Sequence, residues 1–228
     1  MPRQIDHEGR RLRIADAVCL LADERGLEGV TLRDVAARAD VSMGAVQRCF
    51  RTKEEMLVFA LTHIGELVGA RVRARVVESP AQSARSTLGH TVTEVALVRE
   101  EHRAQARVWL AFLAQAAVTP SLAGVLRDNY AGLHAVLVRL IGEAVDGSGD
   151  SGPVPGTESS ARAGQGSDQR HTREARYARE AREAHTLLAL ADGLTAHVLI
   201  GHLTPEEALG VLDGHLGRLW QHPEARRD

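Results

Sequence analysis

The stretch from Thr31 to Phe50 constrains the fold more than any other part of the chain. Thr31 has the chemistry of a helix N-cap, and Asp34 stands in the first turn behind it. Leu32, Val35, Ala36 and Ala39 then fall on one face of a short helix, Leu32 to Ala39. Asp40-Val41 breaks the pattern, and Ser42 caps a second short helix, Met43 to Phe50. Helix, short turn and helix at this spacing make a helix-turn-helix, in which the first helix braces and the second enters the DNA major groove. The small residues Ser42, Gly44 and Ala45 allow close approach to the duplex, with Ala45 placed for a thymine methyl. Gln47 carries the bidentate amide that suits adenine. Arg48, Arg51 and Lys53 give the window Val41 to Lys53 a local positive charge with no acid before Glu54. Lys53 and the amides of a helix N-terminus suit phosphates. Thr31, Arg33 and Met43 complete the expected DNA-facing set. The competing reading is a small three-helix unit whose arginines are merely solvated.

The rest of the 228 residues reads as helix. Ala, Leu, Arg and Glu dominate, whereas strands favour β-branched and aromatic residues. A first helix is expected from about His7 to Arg25, ended by Gly26. Thr52-Lys53-Glu54-Glu55 is a capping box that opens a long helix to about Val77. Ser79-Pro80 reads as a stop and restart, with a helix to about Glu100. Further helices are expected over His102 to Ala117 and from Thr119-Pro120 to about Val145. The last two run over Arg173 to Gly201 and from Thr204-Pro205 to near Trp220. Asp146 to Thr172 is rich in Gly, Ser, Pro, Gln and Asp and is expected to be a flexible loop.

The net charge of -2 excludes a chain that is basic throughout, so DNA binding must come from a local patch. Seven aromatic residues are too few for a single-strand stacking platform. Cys19 and Cys49 do not form a disulfide framework or a zinc site and read as small apolar residues. With no signal-peptide core and no long apolar run, the expectation is a cytoplasmic protein with no membrane partner. Lys53 is the only lysine.

The stretch from Val30 to Gly44, followed by Phe50-Arg51-Thr52-Lys53-Glu54-Glu55-Met56-Leu57, resembles the N-terminal domain of TetR-family transcriptional regulators. The resemblance covers about residues 10 to 60. Leu187 to Leu194, with Pro205-Glu206-Glu207-Ala208 and Leu212-Asp213, also resembles the C-terminal end of the BetI-like branch. Where the family usually carries a tyrosine that touches the DNA backbone, this chain has Gln47. Where it usually carries histidine, this chain has Cys49. One backbone anchor is therefore missing, and Gln47 is expected to offer a base contact in its place.

The resemblance implies an all-α protein of two parts: a helix-turn-helix domain over residues 1–52 and a ligand-binding and dimerisation domain over 53–228. It implies a sequence-specific regulator, a repressor that binds a palindromic operator in double-stranded DNA as a homodimer and is released by a small-molecule effector. Phe59, His63, His102, Trp109, Phe112, Tyr130 and His134 are the candidates for an apolar pocket with a few polar groups. Leu187, Leu190, Ala191, Leu194 and Val198 form one apolar stripe, and Ala208, Leu212, His215, Leu216 and Leu219 form another. Two such helices at the end of a chain call for a partner surface.

An enzyme is not expected. His63 with Glu66 and His90 with Glu94 share helix faces, but no Glu-x-x-His pair, phosphate loop or nucleophile elbow is present. No catalytic residue, metal or cofactor is assigned. The alternatives are a helical-bundle interaction protein, or an orphan regulator without a ligand.

Overall fold

In a computed structural model, the described residues are 2–78, 83–146 and 165–221. They are helical throughout, with turns between the helices. The head comprises α1 (Pro2–Arg25), α2 (Leu32–Arg38) and α3 (Met43–Cys49). The body comprises α4 (Lys53–Glu78), α5 (Ala84–Val95), α6 (Arg103–Ala116), α7 (Pro120–Asp146), α8 (Gln165–Leu199) and α9 (Pro205–Gln221).

The capping signals work as their chemistry dictates. Thr31 Oγ1 accepts from the Asp34 amide at 3.2 Å, and Ser42 Oγ accepts from the Ala45 amide at 3.1 Å. Thr52 Oγ1 accepts from Glu55 N at 3.0 Å, while Glu55 Oε2 reaches back to Arg51 N at 2.8 Å. Thr204 and Glu207 form the fully reciprocal version at the start of α9. Gly26 and Gly201 take positive φ just after α1 and α8, where a Cβ would strain the turn.

Two expected boundaries are corrected, and a third lies outside the described residues. The helix after α4 does not run to Glu100 but ends at Val95. There the chain turns through Leu97, at φ 49°, and a 3-10 turn over Glu100–His102 leads into α6. The freed carbonyl of Ala96 is taken by the buried Thr195 hydroxyl of α8, a tertiary partner that local sequence does not reveal. The restart expected at Ser79-Pro80 lies outside the described residues; α5 is capped by Ser83. Of the loop expected over 146–172, Asp146 still belongs to α7 and Gln165 to Thr172 are helical, while 147–164 lie outside the described residues. The near end of α8 is anchored through Arg176, which bonds Asp146 Oδ1, Glu180 Oε1 and the Gly142 carbonyl.

Two apolar cores organise the molecule. One joins α1, α2, α3 and the first half of α4 to α6 and the start of α7, through Ile14, Val18, Leu61, Phe112 and Leu122. It crosses residue 52 without a break, so the head is packed rigidly on the body. The other joins α5, the end of α7, α8 and α9 through Leu88, Leu137, Leu187 and Leu212.

Candidate DNA-reading head and ligand cavity

The head presents α3 outward. Ser42, Met43, Gln47 and Arg48 are exposed, and Gly44 is half-buried. The Arg48 guanidinium lies back over Gly44, 3.5 Å from where a Cβ would stand. Val46, Cys49 and Phe50 point into the core. Thr31 and Arg33 are exposed at the start of α2 on the same head. Ala45 is corrected: it is buried beside Val46, so its methyl faces the protein and not a thymine. The periodicity explains this, because Ala45 and Cys49 are four apart and share the inward face. Arg51 is exposed. Lys53 Nζ donates to the Leu27 carbonyl at 3.3 Å, which ties the α1–α2 turn to the start of α4 and leaves two of its three donors.

Polar pairs fix the brace. Arg38 grips Glu24 with two bonds of 2.7 and 2.8 Å, holding α2 on α1. Arg107 of α6 bonds Asp23 of α1 at 2.5 and 3.1 Å, and His63 Nε2 of α4 donates to Asp16 of α1 at 3.0 Å. Arg11 lies over the rings of Phe50 and Phe59, at 5.0 and 4.3 Å, so α1, α3 and α4 meet at one cation-π stack. Burial pushes the Cys19 thiol up to about 12, which makes it inert.

Between α4, α5, α7 and α8 lies a cavity of about 610 Å³. Val68, Val72, Val95, Leu133, Val136 and Leu188 make much of its wall; a Cβ at Gly132 would meet only open space, while Gly65 makes room for the Asn129 side chain, whose Nδ2 lies 3.0 Å from where a Cβ would stand. At one end Trp109 Nε1 donates to Asp192 Oδ1 at 3.1 Å, and the Tyr130 hydroxyl donates to Oδ2 at 2.5 Å. Burial and this carboxylate push the Tyr130 hydroxyl well above its ordinary range, so it stays a donor. Asn129 lines the same region with its Nδ2 buried and unpartnered.

Of the expected pocket residues, Trp109 and Tyr130 line the cavity and the others do not. Phe112 is fully buried in the core that carries the head. Phe59 packs on Phe50, and His63 serves Asp16. His102 is buried beside Glu94 and Arg71, and desolvation lowers its pKa. His134 bonds the Ala181 carbonyl and packs on the His185 ring. Sequence reasoning misses Asp192 and Asn129. The available signal is the spacing Gly65, Val68, Gly69, Val72 on α4, a core-like stripe too small to fill its own groove.

Part of the expected dimer stripes is corrected. Leu187, Leu194, Val198, Leu212 and Leu216 are buried within the single chain, against α5 and α7. Leu190, His215 and Leu219 are half-buried. His215 Nε2 lies 3.0 Å from Glu183. The outward faces of α8 and α9 carry Ala189, Gly193 and His197, and Gly210, Val211, Asp213, Gly214 and Arg218, with Ile200 exposed just after α8.

Residues 14–58 match the family model described as bacterial regulatory proteins, tetR family. Residues 84–163 match the C-terminal model of BetI-type transcriptional repressors. The regulator BetI of Burkholderia mallei is 35% identical over 141 residues, which cover 60% of this chain and 70% of BetI. The chain belongs to the TetR family of transcriptional regulators. The regulator PksA of Bacillus subtilis is 37% identical over 118 residues, 51% of this chain and 56% of PksA, so the match spans little more than half of that relative. Among solved structures, a transcriptional regulator from Rhodococcus sp. Rha1 superposes with a TM-score of 0.68 at 28% identity, covering 92% of this chain and 96% of that one. A regulator from Saccharomonospora viridis, solved in complex with choline, has the same fold, with a TM-score of 0.70 at 20% identity over 92% and 96% of the two chains. Among the described residues no helix is long and apolar enough to cross a membrane.

Proposed function

We propose that the chain is a repressor that binds a palindromic operator as a homodimer and is released when a small molecule fills the cavity. Residues 1–52 read the DNA and residues 53–228 bind effector and partner. The observation that carries this reading is the course of α4. It starts at Lys53, directly behind α3, and twelve residues on it forms the cavity wall from Gly65 to Val77. A single unbroken helix therefore touches both places, and no flexible joint lies between them. The second link, from Trp109 through Arg107 to Asp23, runs along α6 into α1.

In this mechanism a dimer presents two copies of α3 about 34–36 Å apart, one turn of duplex. Met43 and Gln47 face base edges, while Ser42, Arg48 and the remaining donors of Lys53 face phosphates. The effector favours a body shape that moves α4 and spoils that spacing. A coupling of about 1–3 kcal/mol suffices for a working switch. Dimerisation uses the outward faces of α8 and α9, whose small residues let helix backbones approach closely.

The test is a selection of bound duplexes from random DNA with the purified protein, followed by fluorescence anisotropy on the enriched site. One enriched palindrome, bound by two chains, supports the reading. Binding that depends on salt but not on sequence rejects it.

A further inference from the structure

The cavity has a chemical polarity that points to the class of its occupant, taking as given the effector site proposed above. Its wall is aliphatic over most of its length. Along α4 it runs from Gly65 to Val77, roughly 18 Å at the helical rise. Asp192 is the carboxylate set in that wall, at the end where α6 and α7 bring Trp109 and Tyr130. Among the described residues it is held by two neutral donors and by no cation. Two neutral hydrogen bonds orient a carboxylate but bring it no countercharge. An apolar ligand that covered it would strip its remaining water and bury an uncompensated anion, which is costly. A ligand that brings a positive nitrogen removes that cost. The guanidiniums on the wall, Arg73 and Arg139, belong to the other end. Arg73 is exposed, and Arg139 is open to water and paired with Glu143 at 3.3 Å, so both are already solvated or satisfied. His134 and His185, on the α7–α8 seam, stack on each other, and His134 also bonds the Ala181 carbonyl.

We infer that the cavity selects an amphiphilic monocation, whose protonated nitrogen pairs with Asp192 and whose extended apolar body lies along the valines of α4. Neither half suffices alone. A small cation leaves the aliphatic wall wet, and a neutral or anionic chain leaves Asp192 uncompensated.

The test is isothermal titration of the full-length wild-type protein with four probes, below micelle-forming concentrations: n-decylammonium, n-decanol, n-decanoate and methylammonium. The expected result is that decylammonium binds at least about tenfold tighter than decanol or decanoate. It should also bind at least about a hundredfold tighter than methylammonium. Decanoate binding as well as decylammonium overturns the inference, as does methylammonium matching it, or no binding by any probe. In Asp192→Asn, which keeps an acceptor and removes the charge, decylammonium should weaken about tenfold while decanol stays within about threefold. An unchanged decylammonium affinity in a folded variant is equally fatal, and the wild-type series stands if the variant does not fold. Operator anisotropy separates this idea from the reading beneath it. Charge-selective binding that leaves DNA affinity unchanged sinks the effector role alone. Release of the operator by decanol or decanoate, with decylammonium inert, sinks the cation alone.

Discussion

Gln47 and Arg48 sit side by side on the exposed face of α3 but differ in what they can do to DNA. A planar amide can pair with one base edge in two bonds, while a guanidinium without a fixed seat gains most from phosphate. Gln47→Ala is therefore expected to flatten the preference at one position of each half-site, with about 1–3 kcal/mol of discrimination lost there. Arg48→Ala is expected to weaken binding to all sequences alike and to reduce the salt slope by roughly 0.9 for each phosphate that the arginine no longer neutralises. Competition anisotropy against single-base variants, at several salt concentrations, separates the two. If Arg48→Ala changes base preference and leaves the slope alone, the roles are reversed. The same scale shows what the sequence can reveal. Caps are legible because each depends on atoms within four residues: Thr31 with Asp34, Ser42 with Ala45, Thr204 with Glu207. Ala45 is easily misassigned because small size suits both a groove and a core, and only its phase with Cys49 decides between them. The pocket is half legible. Large aromatics suggest a lining, yet Phe59 and Phe112 fill space, and a cavity exists where small residues fail to fill it.

At the scale of elements, α4 and α6 both join the head to the body, but by different bonds. The start of α4 is embedded in apolar core through Met56, Leu57, Ala60 and Leu61, so it cannot be loosened without unfolding the head. The hold of α6 on α1 includes the exposed pair Arg107 and Asp23, which sits two residues from the cavity residue Trp109. An exposed pair contributes little to stability, so its removal tests communication and not folding. Arg107→Ala is expected to leave thermal stability and effector-free operator affinity nearly unchanged. The factor by which n-decylammonium lowers operator affinity should shrink by roughly 2–30-fold. Anisotropy with and without the amine measures this directly. An undiminished factor would place all of the coupling in α4. Phe112, on the opposite face of the same helix, serves as the contrast. It is fully buried, and Phe112→Ala should cost about 3–5 kcal/mol in denaturant unfolding.

For the whole molecule, the amphipathic stripes of α8 and α9 raise a question of ownership. From sequence they read as a surface for a second chain, because an apolar stripe must be covered by something. The long-range packing that covers it, by α5 and α7, is not encoded in the periodicity of α8 itself. What remains outward mixes small residues with charged ones such as Asp213 and Arg218, and includes Ile200 at 77% exposure and Val211 at 44%. Covering those two requires either a partner or solvent, and opposite substitutions distinguish the faces. Leu187→Ala empties a fully buried position and should lower stability by about 2–5 kcal/mol in any oligomeric state. Ile200→Glu and Val211→Arg place charge where a single chain has only water, so each monomer should keep its fold. If two chains meet there, the charge is buried unpaired, and light scattering should show the mass fall from dimer to monomer at micromolar concentration. Operator affinity should fall with it, because one head alone reads only half of a palindrome. A dimer that survives both substitutions would put the two heads in register through some other face, and α4 could then set their spacing only through the geometry of that face.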